Sequence, residues 1–357
     1  MKIASKDATK LITILIVSKI LFSDINIFVK GSMSASYLEA IMCALVSIAF
    51  FLIISCFFKK SKCADIFEAI EFSFGRKIKI FAGTLFLILI LSYTALILKL
   101  YTDAILTIAY PNSPAFFVMF FIMLTMVFSA YAGIGTITKF SSVCVSVMLT
   151  LLAILYILAS KNIDITNIFP VLGNGAGNIL MGAKNIFMYN EILFLFFISG
   201  FLEKREDAPK IGLKALIYSS VIIVVSTLFY TLCIPYPASK LFNMPLLQLA
   251  SSTDVSFFLQ RSEGIFFLLW IFSSFLYLGA TFYFSLYTFK RTFDSSDIKA
   301  LIPSFIVTVF SSTWFFKNTK IIENYYIIFT SLFVIFSFLV PLIAYIFENI
   351  KRRRKNV

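Results

Sequence analysis

Apolar runs of about 20 residues recur along the whole chain, parted by short polar stretches, and within a run apolar and polar positions do not alternate. A run of that length crosses the hydrocarbon core of a bilayer as an α-helix, whereas a barrel strand alternates with period two. The pattern predicts ten membrane-spanning helices near 9–29, 37–57, 80–108, 114–131, 136–159, 183–201, 211–233, 263–289, 300–316 and 324–348. Their connections are too short to hold a core of their own, so residues 1–357 are expected to form a single integral membrane domain.

Polar positions inside the runs carry the next level of information. The stretch 168–200, IFPVLGNGAGNILMGAKNIFMYNEILFLFFISG, brings a Pro- and Gly-bearing loop into an apolar segment that holds Asn190 and Glu191. Lipid does not hydrate a carboxylate, so Glu191 must face a cavity or a partner and is a functional-site candidate. Gly175, Gly177 and Gly182 upstream let the backbone leave helical geometry near that charge. The first span is interrupted in the same manner by Ser18, Lys19, Ser23 and Asp24. Spans one and six are the first members of the two halves of a five-plus-five inverted repeat, in which broken helices bind ligand at the midplane. The expected fold is therefore an all-α polytopic membrane protein of ten transmembrane helices in a LeuT-like five-plus-five inverted repeat, with helices 1 and 6 interrupted. No sequence repeat between the halves is readable; the expectation rests on position and polarity.

Four ionisable residues lie well inside spans: Lys19, Lys99, Asp103 and Glu191. Lys99 and Asp103 are four apart and share a helix face, as a structural ion pair or as a cavity-lining pair that also meets ligand. Lys19 and Glu191 have no partner within their own helices, and adjoining first and sixth spans would let them face each other across a central cavity. The alternative for Lys19 is that its ammonium snorkels to an interface. In the eighth span Ser273, Tyr277, Thr281 and Ser285 recur every fourth residue with Ser274 beside them. Such a stripe either bonds neighbouring helices or orients a small polar ligand.

Composition fixes the class. The chain is 60% hydrophobic and 14% charged, with a mean hydropathy of +0.95. Most of the Lys and Arg outside the spans fall at the amino terminus, in the even-numbered loops and at the carboxyl terminus, which predicts that both termini are cytoplasmic. The net charge of +13 is then topogenic and does not indicate nucleic acid. The tail Lys351-Arg352-Arg353-Arg354-Lys355 anchors the last helix or attracts anionic membrane lipid. Lys2, Lys6 and Lys10 before LITILIV resemble a signal peptide, but Lys19 breaks the run and no cleavage site follows, so an uncleaved first helix is expected. The five cysteines show no metal or redox spacing, and the absence of histidine removes His ligands and relays.

Two connections stand apart. In KKSKCADIFEAIEFSFGRKIK, the residues Ile66, Phe67, Ile70 and Phe74 recur at helical spacing, which predicts a short interfacial helix or a docking site for a soluble partner. The long loop 234–262 carries Pro235, Pro237 and Pro245, and apolar residues between Leu246 and Leu259 predict a short helix, either a lid or an ordered connector. No phosphate-cradling Gly-rich loop, nucleophile elbow or zinc pattern is present. The chain is read as a non-enzyme without cofactor or metal.

The residues IFPVLGNG and GAKNIFMYNEILFLF around the sixth span, DIFEAIEFSFGRKIK, AYAGIGTITKF, and RSEGIFFLLWIFSSFLYLG resemble the spore germination permease family. These are the integral-membrane B subunits of spore germinant receptors, within the amino acid–polyamine–organocation transporter superfamily. The resemblance covers about residues 5 to 348. It implies a multi-pass protein of the spore inner membrane that acts with a membrane A subunit and a lipoprotein C subunit. The nutrient germinant would be a small amino acid, sugar or nucleoside. By this likeness Tyr189, Asn190 and Glu191 border the pocket from the sixth span, Lys99 from the third, and Ser273, Ser274, Tyr277 and Thr281 from the eighth. Lys19 and Ser23 of the first span join them. One departure stands out: IVSKILFSDI has no glycine where superfamily transporters break the first helix, and Lys19 either pairs with an anionic ligand group or plugs the cavity. An ion-coupled amino acid permease with Glu191 as coupling carboxylate is the alternative function.

Overall fold

The computed structural model describes residues 2–253, 263–316 and 319–355. Over these the chain is helical, and its one extended pairing is an isolated parallel bridge between Ile3 and Leu202. The helices are α1 Ser5–Lys19, α2 Ile25–Ser32, α3 Ser36–Phe58, α4 Ile66–Phe74, α5 Arg76–Ile108, α6 Ala115–Ala159 and α7 Ala176–Met181. They continue as α8 Leu193–Ile198, α9 Ala208–Cys233, α10 Pro245–Ser251, α11 Glu263–Phe293, α12 Ile302–Thr313, α13 Thr319–Val334 and α14 Val340–Lys355.

Among the described residues seven helical stretches are long and apolar enough to cross a membrane, and the protein is an integral membrane protein. Two are far longer than one crossing needs: Ser5–Phe58 with 54 residues and Ala115–Asn162 with 48. The first turns at Met33, which adopts φ 55°, and the second at Gly133, with φ 78° and ψ 171°. The latter is a backbone state open essentially to glycine alone, and it falls in AYAGIG, where the hydropathy pattern separates two spans. Lys299–Thr313 adds a shorter apolar helix.

Both ends of the chain meet at one end of the bundle. The Ile3 backbone exchanges hydrogen bonds with Phe201 and Glu203. Beside them the Arg205 guanidinium donates to the Ser61 carbonyl and to its hydroxyl at 3.0 Å. The same Ser61 hydroxyl donates to the Glu348 carboxylate of α14, which also accepts from Arg352 Nε at 2.8 Å.

The predicted short helix after the second span is α4, capped by Asp65, whose carboxylate accepts the Glu68 backbone N–H at 3.0 Å. Its apolar face differs from the interfacial or docking expectation. Ile66, Phe67, Ala69 and Ile70 are buried inside the protein, and the Phe67 ring meets Phe86, Phe197 and Tyr287. The other Asp65 oxygen holds Tyr287 Oη and Arg291 Nε of α11, each at 2.6 Å. Folding back on its own helices satisfies α4 without lipid or a soluble partner. In the long loop, α10 realises the start of the helix expected over 246–259; residues 254–262, including Arg261 and Ser262 of the eighth-span motif, lie outside the described residues.

Candidate functional site

Both interrupted spans depart from α-helical geometry, each by a different device. The first does so without glycine: α1 passes into a π turn over Ile20–Asp24 before α2 resumes at Ile25. A π turn widens the helix by one residue and often marks a functional position. The sixth tightens instead, into short 3₁₀ turns over Gly182–Ile192 that are broken where Asn185 (ψ 15°) and Tyr189 (ψ 17°) leave helical geometry, each turn of the short length usual for such pieces. Gly182, Asn185 and Asn190 are poor α-helix formers because glycine is too free and asparagine competes for backbone hydrogen bonds. Tertiary contacts then hold the segment. Asn185 Nδ2 donates to Glu39 Oε1 at 2.7 Å, Asn190 Nδ2 to the Thr330 carbonyl at 2.9 Å, and Ser337 Oγ to the Asn190 carbonyl at 2.8 Å.

Where the two irregular segments meet, Lys19 Nζ lies 2.9 Å from Glu191 Oε2, and both side chains are 3% exposed. The ammonium also donates to the Phe187 carbonyl at 3.0 Å, a backbone group of the 3₁₀ segment. The second carboxylate oxygen, Oε1, accepts the Tyr277 hydroxyl at 3.0 Å. In a low-dielectric interior this satisfies charges that would each cost several kcal/mol unpaired, on the order of 3–5 kcal/mol when one partner is removed. Lys19 does not snorkel; it is committed to Glu191.

A second carboxylate stands close by. Asp24 is buried, feels the Lys19 charge, and accepts the Tyr326 hydroxyl at 2.8 Å on each oxygen and the Ser23 hydroxyl at 3.2 Å. Lys19 thus pairs with Glu191 and acts on Asp24 at longer range. An aromatic wall closes one side: Phe22 stacks on Trp270 with ring centres 5.0 Å apart and meets Tyr101 edge-on at 5.2 Å. Trp270 Nε1 and Asn190 Oδ1 are buried with no hydrogen-bond partner among the described residues.

The structure brings Lys19, Ser23, Asn190, Glu191 and Tyr277 into this centre. Tyr189 is fully buried one residue away, its hydroxyl accepting from Ser220 at 3.1 Å toward α9. Ser273, Ser274 and Thr281 are buried on α11, yet their hydroxyls donate to carbonyls of their own helix, Trp270 for both serines and Leu278 for the threonine. Lys99 lies apart: it pairs with Asp103 at 2.7 Å, the two side chains 22% and 40% exposed, beside a surface groove lined by Phe116 and Trp314. Asp24, Tyr326 and Trp270 belong to the centre and are absent from the sequence-based set. So is Glu39, 2% exposed, which sits in a notch left by Gly31 and Gly182. A methyl group at Gly182 would come within 2.3 Å of Glu39 Cγ.

The sequence pattern of the spore germination proteins matches residues 2–321. Spore germination protein KB of Bacillus subtilis (strain 168) is 26% identical over 223 residues, 60% of each chain. Spore germination protein A2 of the same organism is 24% identical over 231 residues, 62% of this chain and 60% of that one. The matched region spans about three fifths of either relative.

Proposed function

The chain belongs to the spore germination protein family, and from that premise we propose that it is the membrane B subunit of a germinant receptor. A small nutrient germinant, of the amino acid, sugar or nucleoside class, binds at the junction of the interrupted first and sixth spans. The bound state favours one conformation and passes it to an A subunit and a lipoprotein C subunit in the spore inner membrane, with both termini cytoplasmic. The observation that carries this reading is the Lys19–Glu191 pair, 2.9 Å apart and closed off from solvent where α1 gives way to the π turn and the sixth span to 3₁₀ turns. A protein meant only to fill the bilayer has no use for such a pair, since an apolar pair of equal volume is as stable or more so.

The ten-crossing inverted repeat is part of the same proposal. The seven long stretches, two of them bent into paired crossings at Met33 and Gly133, make ten together with Lys299–Thr313. An even number is what chain ends meeting on one side require.

A second reading is favoured by the charge balance. With Asp24 and Glu191 near the Lys19 ammonium, the centre holds two carboxyl groups for one ammonium among the described residues, a set suited to exchanging a proton or holding a sodium ion. An ion-coupled permease would use it directly. The test is a deletion strain screened as spores against single nutrients and as growing cells for solute uptake, complemented by wild type or Glu191→Gln. Lost response to one nutrient class, not restored by Glu191→Gln at normal protein level, supports the receptor. Unchanged germination with lost uptake overturns it in favour of the permease.

A further inference from the structure

At the end of the bundle where the chain termini meet, α1 and α9 part to leave a groove of about 510 Å³. Lys6 and Lys10 line it from α1, Lys210 and Lys214 from α9, and Asp207 is the single carboxylate in its wall. None of the four lysines takes part in an ion pair among the described residues. Asp207 accepts from Ser5 within the same wall at 3.1 Å, and Asp7 of α1 accepts from Ser142 at 2.6 Å. Four cations gathered around one acid repel one another, an arrangement a fold keeps at a cost unless an anion joins them.

What lies above the lysines on α9 identifies the anion. Residues 210, 214, 217, 218 and 221 fall on one helical face. Ile217, Tyr218 and Val221 on that face are exposed, at 43%, 53% and 57%. Going from the helix start into the span, the face therefore offers two ammonium groups, then Ile217 and Tyr218 side by side, then Val221. Charge at the helix start and apolar groups deeper match a phospholipid's phosphate followed by its acyl chains, and tyrosine is a residue that settles at the headgroup level. A soluble phosphate compound uses the lysines alone and has no need of the aliphatic continuation.

We propose that this groove is a binding site for an anionic phospholipid, its phosphate held between the α1 and α9 lysines and one acyl chain lying along Ile217 and Val221. The site bridges the base of the interrupted first helix and α9, so an occupied groove ties α1 to α9. This goes beyond germinant binding and holds whether the protein senses or transports.

The full-length protein in uncharged detergent is titrated separately with phosphatidylglycerol, phosphatidylcholine and inorganic phosphate, with occupancy read by native mass spectrometry. Phosphatidylglycerol binds most tightly, and Lys210→Gln and Lys214→Gln each weaken it by about five-fold, the worth of one lysine near an anionic headgroup. Lys6→Gln and Lys10→Gln do the same from the opposite wall, Val221→Ser weakens the lipid without changing phosphate binding, and exposed Lys299→Gln changes nothing. Equal affinity for the two lipids, or lysine variants without effect at unchanged thermal stability, overturns the proposal. Displacement of phosphatidylglycerol by inorganic phosphate at equal concentration overturns it as well, and makes the groove a site for free phosphate.

Discussion

The Tyr326 hydroxyl lies 2.8 Å from both carboxylate oxygens of Asp24, so α13 is tied by a forked contact to the π turn that interrupts the first span. Tyr326→Phe leaves the carboxylate with Ser23 as its remaining hydroxyl donor and should cost about 1.5–3 kcal/mol, the worth of a hydrogen bond to a charged group. In an Asp24→Asn background the penalty should shrink to that of a neutral bond. Unfolding of the purified protein in detergent, measured as a double-mutant cycle, checks this; additive effects would show that the contact carries no energy.

Glu191→Gln should destabilise by about 3–5 kcal/mol because it strands the Lys19 ammonium in a dry site. Lys19→Met should do likewise by stranding the carboxylate. Combining them removes both charges, and the double variant should be more stable than either single one. Thermal unfolding followed by size-exclusion chromatography reads the order of the three.

Gly182→Ala should be resisted by Glu39, whose Cγ would stand 2.3 Å from the new methyl and whose carbonyl 3.2 Å. Overpacking of this kind costs about 1–3 kcal/mol. Truncating the obstacle with Glu39→Ala should relieve the clash, so the double variant recovers part of the loss. No recovery would mean that the methyl group is accommodated by movement of the 3₁₀ segment itself.

Two glycines with empty surroundings should respond in opposite senses. Nothing lies within 4 Å of a methyl at Gly133 or Gly177, but Gly133 has φ 78° and Gly177 does not have a positive φ. Gly133→Ala should cost on the order of 1–3 kcal/mol in backbone strain. Gly177→Ala, inside α7, should be neutral or stabilise by about 0.4–1 kcal/mol. Equal melting temperatures for the two variants would refute the argument.

Just past the end of α11, Asp294 sits 3.0 Å from Lys79 at the start of α5, and Lys79 lies 2.8 Å from Glu71. The Lys79 ammonium holds the Asp294 carboxyl below its ordinary 3.8. A depressed folded-state value means that the contribution is present above the unfolded value and is lost as the pH falls through the folded one. Stability should therefore drop on acidification below about pH 4, by a small amount because Asp294 is half exposed and salt screens it. Lys79→Gln should flatten this part of the pH profile.

Charges stranded in apolar runs were the legible part of the site. Lys19 and Glu191 stood out because lipid cannot hydrate them, and Lys99 with Asp103 because four residues is one helical turn. The turn at Gly133 was visible as small residues between two runs. Glu39 was not, since an acid at the head of a run looks like ordinary compensation of a helix dipole. Tyr326, Thr330 and Ser337 were hidden for another reason: single hydroxyls in an apolar helix carry no signal until the partner helix is known. The interruption of the first span was marked by Ser23 and Asp24, but its π form was not, because ILFSD contains neither glycine nor proline.

The hydroxyl stripe on α11 has a chemical polarity of its own. Ser273, Ser274, Thr281 and Ser285 each give their one proton to a carbonyl of the same helix, so what they turn outward is lone pairs. Under the germinant-binding proposal, a ligand reaching that face would be met by acceptors and would have to bring the protons itself, as an ammonium or a sugar hydroxyl does.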